Sequence, residues 1–322
     1  VDEVLGRDLS GSGEHLWIRI EKTRMTTQDA IRLVARAARV NPGDVGSAGM
    51  KDKYAITTQW LSLALKKTPF EAWRLPRGVR VLEATRHDRK LRTGQLAGNR
   101  FRVKIHGVAA DGLARAQAIV ERLSGEGLPN YFGAQRFGAG GRNFERALAW
   151  LSDSAQGKGG RDRFHKKLYP SVIQSEIFNR YLSLRREFGL RNLLVGDVVR
   201  LDRTASTFVV EDPERERPRF DARDLFLTGP MLGPKIKSAS GVPAELEQRA
   251  CNEAGVTEQI LDQLARHVDG TRRDLVIWPE ASVEQLAPGV LELAFFLPAG
   301  SYATELVRQL THQPFFGYSG PP

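Results

Sequence analysis

Residues 101–106 alternate Phe101, Val103 and Ile105 with Arg102, Lys104 and His106, a period of two that fits a strand with one buried and one basic face. The same alternation appears at 16–21 and at 59–65, where Leu61, Leu63 and Leu65 share a face, and 289–297 reads as a further strand. Helical spacing separates these runs. Ile31, Val34, Ala35 and Ala38 follow Thr27 as the expected cap, and Asn41-Pro42-Gly43-Asp44 ends that helix in a turn. Further helices are predicted at 111–124, 144–152, 171–188 and 301–311, with a pair over 242–267 split near Gly255. Between them, 128–143 is dense in Gly and aromatics and reads as a hinge or entry loop, 193–211 as hairpin-like strands, and 212–219 as a charged turn. Strand patterns at both ends and a differently textured middle predict an α+β fold. Its core is made from 1–127 and 276–322, with a mixed domain inserted over 128–275.

Charge is unevenly divided. Of 322 residues, 48 are Lys or Arg against 38 Asp or Glu, a net charge of +10. Segment 1–127 carries +9, 128–275 carries +4 and 276–322 carries −3. Within the first, 74–104 has ten basic residues against Glu83 and Asp88. Such a run reads either as a solvated basic face or as a surface that meets polyphosphate. A strand face where cations and polar groups alternate suits RNA, whose phosphates and 2′-hydroxyls lie together.

Several chemistries are excluded by pattern. The apolar stretch 293–299 is far shorter than a bilayer span, and no signal peptide opens the chain, so membrane and secretion readings fall away in favour of the cytoplasm. The lone Cys251 cannot form an internal disulfide and reads as a packed thiol in a helix. The six histidines lack metal-binding spacing, and neither a phosphate-binding loop nor a dinucleotide fingerprint is present. No cofactor and no metal are expected.

What remains is the segment Ala48-Gly49-Met50-Lys51-Asp52-Lys53-Tyr54-Ala55-Ile56-Thr57-Thr58-Gln59. Asp52 lies between two lysines in a Gly-rich loop before a strand. Cations there favour the carboxylate, and an ionised, oriented carboxylate can act as a nucleophile. By spacing alone, Lys-Asp-Lys reads first as a turn with solvated charges.

These residues strongly resemble the active-site motif of the TruD family of tRNA pseudouridine synthases. Three more segments resemble the family in order: Gly98-Asn99-Arg100-Phe101, Asn130 to Gly138, and Leu297 to Thr304. Val1-Asp2-Glu3 resembles the end of the family's first conserved segment. The resemblance implies a pseudouridine-synthase core, a mixed and mainly antiparallel sheet with flanking helices, carrying an inserted TruD domain. It implies an isomerase that converts uridine to pseudouridine at position 13 in the D arm of tRNA. Asp52 would be catalytic, either attacking the ribose or removing its C2′ proton.

By matching motif positions, Phe101 is expected to stack on the flipped base and Asn99 to hold the Asp52 loop or the substrate. From the residues alone, Phe101 reads as core and Asn99 as a turn residue. Lys51 is the expected cation beside Asp52. Arg136 and Asn130 either contact RNA or stitch the inserted domain to the core, and Ser301 and Tyr302 open the last helix, where Ser is a natural N-cap. The basic run 74–104 would line the RNA on one side and Arg161, Arg163, Lys166 and Lys167 on the other. The partner is tRNA, with other structured RNA as a further candidate, and the expected state is a monomer. A tRNA chaperone and a related glycosidic-bond enzyme are the competing readings.

Overall fold

The computed structural model describes residues 1–64, 73–155, 163–202 and 204–311. In chain order, β1 (Asp2–Val4) and β2 (His15–Thr23) precede α1 (Thr27–Ala38), β3 (Gly46–Ser47) and β4 (Ile56–Ala64). Next come β5 (Val79–His87), β6 (Gly98–His106), α2 (Gly112–Glu126) and β7 (Leu128–Pro129). Helices α3 (Asn143–Ala155) and α4 (Arg163–Arg186) lead to β8 (Val198–Leu201), β9 (Thr207–Val209), α5 (Pro213–Asp221) and β10 (Leu225–Met231). The chain continues through α6 (Gly241–Glu253), α7 (Glu258–Leu264), β11 (Thr271–Asp274), β12 (Val276–Ile277), β13 (Glu280–Ala287), β14 (Val290–Pro298) and α8 (Ala303–Thr311).

Two compact units emerge, Val1–Val120 with Pro279–Gly300, and Glu121–Trp278 with Ser301–Pro322. The first is interrupted in sequence, and the residues after Gly300, grouped by the sequence with the core, cluster with the second unit.

The first unit is built on a sheet of strand order β13-β14-β6-β1-β4-β2-β5, with β3 pairing β4. Every pairing is antiparallel except that of β1 with β4. The apolar stripe Ala30, Ile31, Val34, Ala35 and Ala38 of α1 packs on Ile18, Ile20, Leu61 and Leu63, as its helical spacing requires. Leu65, expected on that same strand face, lies outside the described residues. Thr26, not Thr27, caps α1: its hydroxyl accepts the Asp29 amide while the Asp29 carboxylate accepts the Thr26 amide. This leaves Thr27 buried inside the first turn, with its hydroxyl available for another partner.

The second unit has a sheet of order β11-β10-β8-β9 and a short β12–β7 ladder. At its centre α4 is buried almost all round, with Val172, Ile173, Ile177, Phe178 and Leu182 each fully enclosed. The helix starts before the expected residue 171 and carries Pro170 within it. The polar stretch 157–162 and Arg161 lie outside the described residues, as does the Arg163 side chain. Where a turn was expected at 212–219, α5 forms. Asp212 accepts the Glu214 and Arg215 amides, Pro213 occupies the first turn, and Arg217 pairs with Asp221 one turn on. The charge density that suggests a turn is thus a ladder of helix-spaced ion pairs. No helix among the described residues is long and apolar enough to cross a membrane.

Candidate active site

The Asp52 loop joins β3 to β4, and its backbone is held from below by buried polar groups. The Lys51 amide donates to Thr27 Oγ1 at 2.8 Å, and that hydroxyl donates to Gln59 Oε1 at 2.9 Å. The Lys51 ammonium lies 2.6 Å from Glu3 Oε2, with side-chain exposures of 6% and 0%. Glu3 uses its other oxygen to accept the Trp60 amide at 3.0 Å. The ammonium of Lys22, itself fully buried, donates to the main-chain oxygens of Met25 and Asp52, both at 2.8 Å. Burial pushes the Lys22 ammonium below its usual range, opposed by the attraction of Asp52 and reinforced by Lys51.

Above these anchors the Asp52 side chain is exposed, as are Met50, Lys53 and Tyr54. The sequence placed Lys51 beside Asp52 as its cation; the structure gives Lys51 a different carboxylate, that of Glu3, contributed by a strand far away in the chain. Glu3 and Lys22 were both missed as site residues. Lys22 leaves a local signal: it continues the inward positions Leu16, Ile18 and Ile20 of β2, where an apolar residue would be the default. Glu3 leaves no such signal, because its partner is fixed only by strand pairing.

Asn99 and Phe101 reach the same face of the sheet. Asn99 lies opposite Glu3 on β1 and opposite Leu297 on β14, and directly opposed residues point to one side. Phe101, two residues on, shares that side and stacks on its partner Phe295 with centroids 4.9 Å apart and planes at 13°. Phe101 is half-buried, with Phe295 stacked on it. Gly98 is required by contact: a Cβ there would lie 2.1 Å from the Leu297 carbonyl and 2.6 Å from the Phe296 ring.

Because Asp2 and Thr58 are register partners, Glu3, Thr57 and Gln59 occupy the opposite side together, the side of Asn99. Three polar atoms on this one face, Thr57 Oγ1, Gln59 Nε2 and Asn99 Oδ1, are buried with no hydrogen-bond partner. A protein interior rarely leaves such groups unpaired.

Asn130 and Arg136 lie in the second unit. Asn130 is buried and committed: its amide nitrogen donates to the Asp274 carbonyl at 2.9 Å and its amide oxygen accepts Arg273 at 2.6 Å. Arg136 donates to Ser175 Oγ at 3.2 Å and lies over the Phe132 ring. Asn179 of α4 holds both the amide and the carbonyl of Phe132, at 2.9 and 3.0 Å. Burial pushes the Arg273 guanidinium down to about 10, and burial raises the Tyr302 phenol against the pull of Arg136 and Arg273. The segment from Asn130 to Gly138 is thus stitched within its own unit. Helix α8 begins at Ala303, just past Ser301 and Tyr302. Lys166 and Lys167 are exposed on α4.

The basic run folds into β5, β6 and the loop between them. β5 is an edge strand rich in charge, as exposed edges tend to be. In the loop, Arg89 and Arg92 are exposed, and the Gly94 amide donates to the Ala48 carbonyl at 2.7 Å. The basic loop is therefore tied to the start of the Asp52 loop.

A family model described as tRNA pseudouridine synthase D (TruD) matches residues 1–146 and 162–310. A protein named tRNA pseudouridine synthase D from Anaeromyxobacter dehalogenans (strain 2CP-C) is 41% identical over 315 residues, covering 97% of this chain and 90% of its own. One of the same name from Aeromonas hydrophila subsp. hydrophila is 40% identical over 323 residues, covering 96% and 87%. A crystal structure described in terms of tRNA pseudouridine synthase D from Methanosarcina mazei has a TM-score of 0.74 at 22% identity, over 97% of this chain and 91% of that one, and so shares the fold. On the match of the family model to most of its length and on relatives about 40% identical, the chain belongs to the TruD family of tRNA pseudouridine synthases.

Proposed function

We propose that this chain isomerises uridine 13 in the D arm of tRNA to pseudouridine, with Asp52 as the catalytic residue. The observation that carries the reading is a carboxylate left exposed on a loop whose main chain is gripped by Thr27 and Lys22 and whose neighbouring side chain is clamped by Glu3. Such a group can approach a ribose without reorganising, which is where positioning lowers a barrier. Asp52 either bonds to the ribose or takes its C2′ proton. In both routes the N1 glycosidic bond breaks, the uracil turns, and C5 bonds to C1′, either as the Asp52–C1′ bond breaks or as Asp52 returns the proton to C2′. The C5 proton is lost and N1 is protonated, so the product is an isomer and no oxidant or reductant is consumed.

The target base must leave its stack, at a cost of a few kcal/mol. Phe101 is the ring we assign to the flipped uracil, returning on the order of 1–3 kcal/mol. Asn99, with an unpaired buried oxygen, is an acceptor suited to the uracil imide or a ribose hydroxyl. Lys51 acts on the loop through Glu3. Asn130 and Arg136 are assigned to the internal order of the second unit. That unit, with its core around α4, corresponds to the inserted domain and the first to the catalytic core. A cytoplasmic location fits a tRNA substrate.

The test is to incubate the chain with unmodified tRNA and map pseudouridine by carbodiimide treatment and primer extension. A stop at position 13 that disappears in Asp52→Asn, with tRNA binding retained, is expected. Turnover unchanged in Asp52→Asn would sink the assignment, and binding without product by the unaltered chain would favour an RNA chaperone.

A further inference from the structure

We infer that Lys22 is a positioning residue for catalysis: by gripping the main-chain oxygen of Asp52, its ammonium sets the direction in which the reacting carboxylate points. The inference rests on the assignment of Asp52 as the catalytic group.

The geometry begins with the strand. Lys22 lies in β2, hydrogen-bonded in register to Thr57 of β4 on one side and Val79 of β5 on the other, so its main chain is held from both edges. Its side chain is fully buried on the face that otherwise presents Ile18 and Ile20. An apolar residue would suit this position at less cost, since an ammonium taken out of water must be compensated by dipoles or charge. The compensation comes from two carbonyl groups, of Met25 and of Asp52, each at 2.8 Å. Met25 belongs to the turn into α1, so that bond alone would serve the fold. The second bond goes to the one residue whose side chain the chemistry uses.

Its effect on Asp52 is mechanical. The Thr27 hydroxyl fixes the peptide before Lys51 and Lys22 fixes the peptide after Asp52. Between them, the Lys51 side chain is locked on Glu3. With the backbone bound on both sides, the direction of the Asp52 Cα–Cβ bond is set, and with it the region the carboxylate can reach. The depression of the Lys22 ammonium by burial, offset by the attraction of Asp52, accords with a cation tolerated there because of what it holds.

The test compares single-turnover rates at saturating enzyme with tRNA affinity and thermal stability, for Lys22→Met, Lys22→Gln and Lys22→Arg. Leu63→Ala, in the same core and away from the loop, controls for general destabilisation. Lys22→Met is expected to lower the single-turnover rate by on the order of 100-fold, the size of effect that about 1 Å of misplacement produces, while tRNA affinity changes less than about threefold. Lys22→Gln and Lys22→Arg, which keep a donor, should recover part of the rate, and Leu63→Ala should lose stability without a matching loss of rate. A folded Lys22→Met with a rate near that of the unaltered chain would overturn the proposal. So would a loss of rate that merely tracks stability across all four variants, or failure of all three Lys22 variants to fold, because either assigns Lys22 to the fold. The unaltered chain and Asp52→Asn are assayed alongside: no product from the unaltered chain is a failure of the functional reading, whereas full turnover in folded Lys22 variants is a failure of this one.

Discussion

Glu3 and Lys51 form a buried ion pair whose carboxylate also caps the Trp60 amide, so the pair joins β1, β4 and the Asp52 loop at one point. Breaking one side leaves the other charge without compensation. Glu3→Gln should therefore lower stability by about 3–5 kcal/mol, read as a fall in the urea midpoint. Adding Lys51→Met should recover part of that loss, because removing both charges also removes the burial penalty. An additive double mutant would show the pair to be unimportant. This residue scale is where the sequence was least transparent. Asp52, Asn99 and Phe101 stand in recognisable motifs, and the alternation around Phe101 already placed it on an inward face. Lys51 was expected beside Asp52 because the run Lys-Asp-Lys contains nothing that announces a carboxylate 48 residues earlier. Lys22 was legible in principle, as a charge at the inward end of an apolar stripe. Asn130 was left between RNA contact and a structural stitch, because its partners, Arg273 and the Asp274 carbonyl, lie 143 and 144 residues away in the chain.

Elements were more readable where one face is apolar. The stripe of α1 and the alternation of β6 appear in the structure on the sides expected, and β2, β4 and β14 form where strands were read, β4 buried on both faces. Boundaries and charged elements were less so. The cap of α1 is one residue earlier than expected, since two threonines in sequence differ only in which one the Asp29 amide meets. Thr26→Ala should cost about 1 kcal/mol of stability in urea unfolding, as loss of an N-cap does. The hydrogen bonds from Thr26 also hold the Asp29 carboxyl below its ordinary value of 3.8. A carboxyl held down in the folded state stabilises above its unfolded value, and the benefit vanishes as pH falls through the folded one. The stability of Thr26→Ala should thus approach that of the unaltered chain as pH falls below about 4. A constant difference at all pH values would contradict the link. Helix α5 escaped notice because its apolar content is small, and its regularity comes from an N-cap and i,i+4 ion pairs that resemble a turn when read as composition.

At the scale of the whole molecule, part of the excess positive charge of residues 1–127 lies on the loop joining β5 to β6, which is tied to the start of the Asp52 loop. Arg89 and Arg92 are exposed on that loop, and its Gly94 amide binds the start of the Asp52 loop. If this loop meets phosphate, tRNA affinity should fall steeply with salt, and Arg89→Ala with Arg92→Ala should make the slope of log K against log salt shallower by about two. An unchanged slope would return these arginines to the solvated surface. Both units are made of two chain segments, and strand patterns at the two ends pointed only to the discontinuity of the first. The grouping of α8 with the second unit was not legible, because its amphipathic pattern specifies a buried face and not which core receives it. The central claim, that Asp52 drives exchange of the C5 hydrogen of one tRNA uridine, is tested most directly by tritium release from tRNA labelled at uridine C5. Release approaching one equivalent per tRNA by the unaltered chain, and none above background by a folded, tRNA-binding Asp52→Asn variant, is the expected result; equal release by both would contradict it.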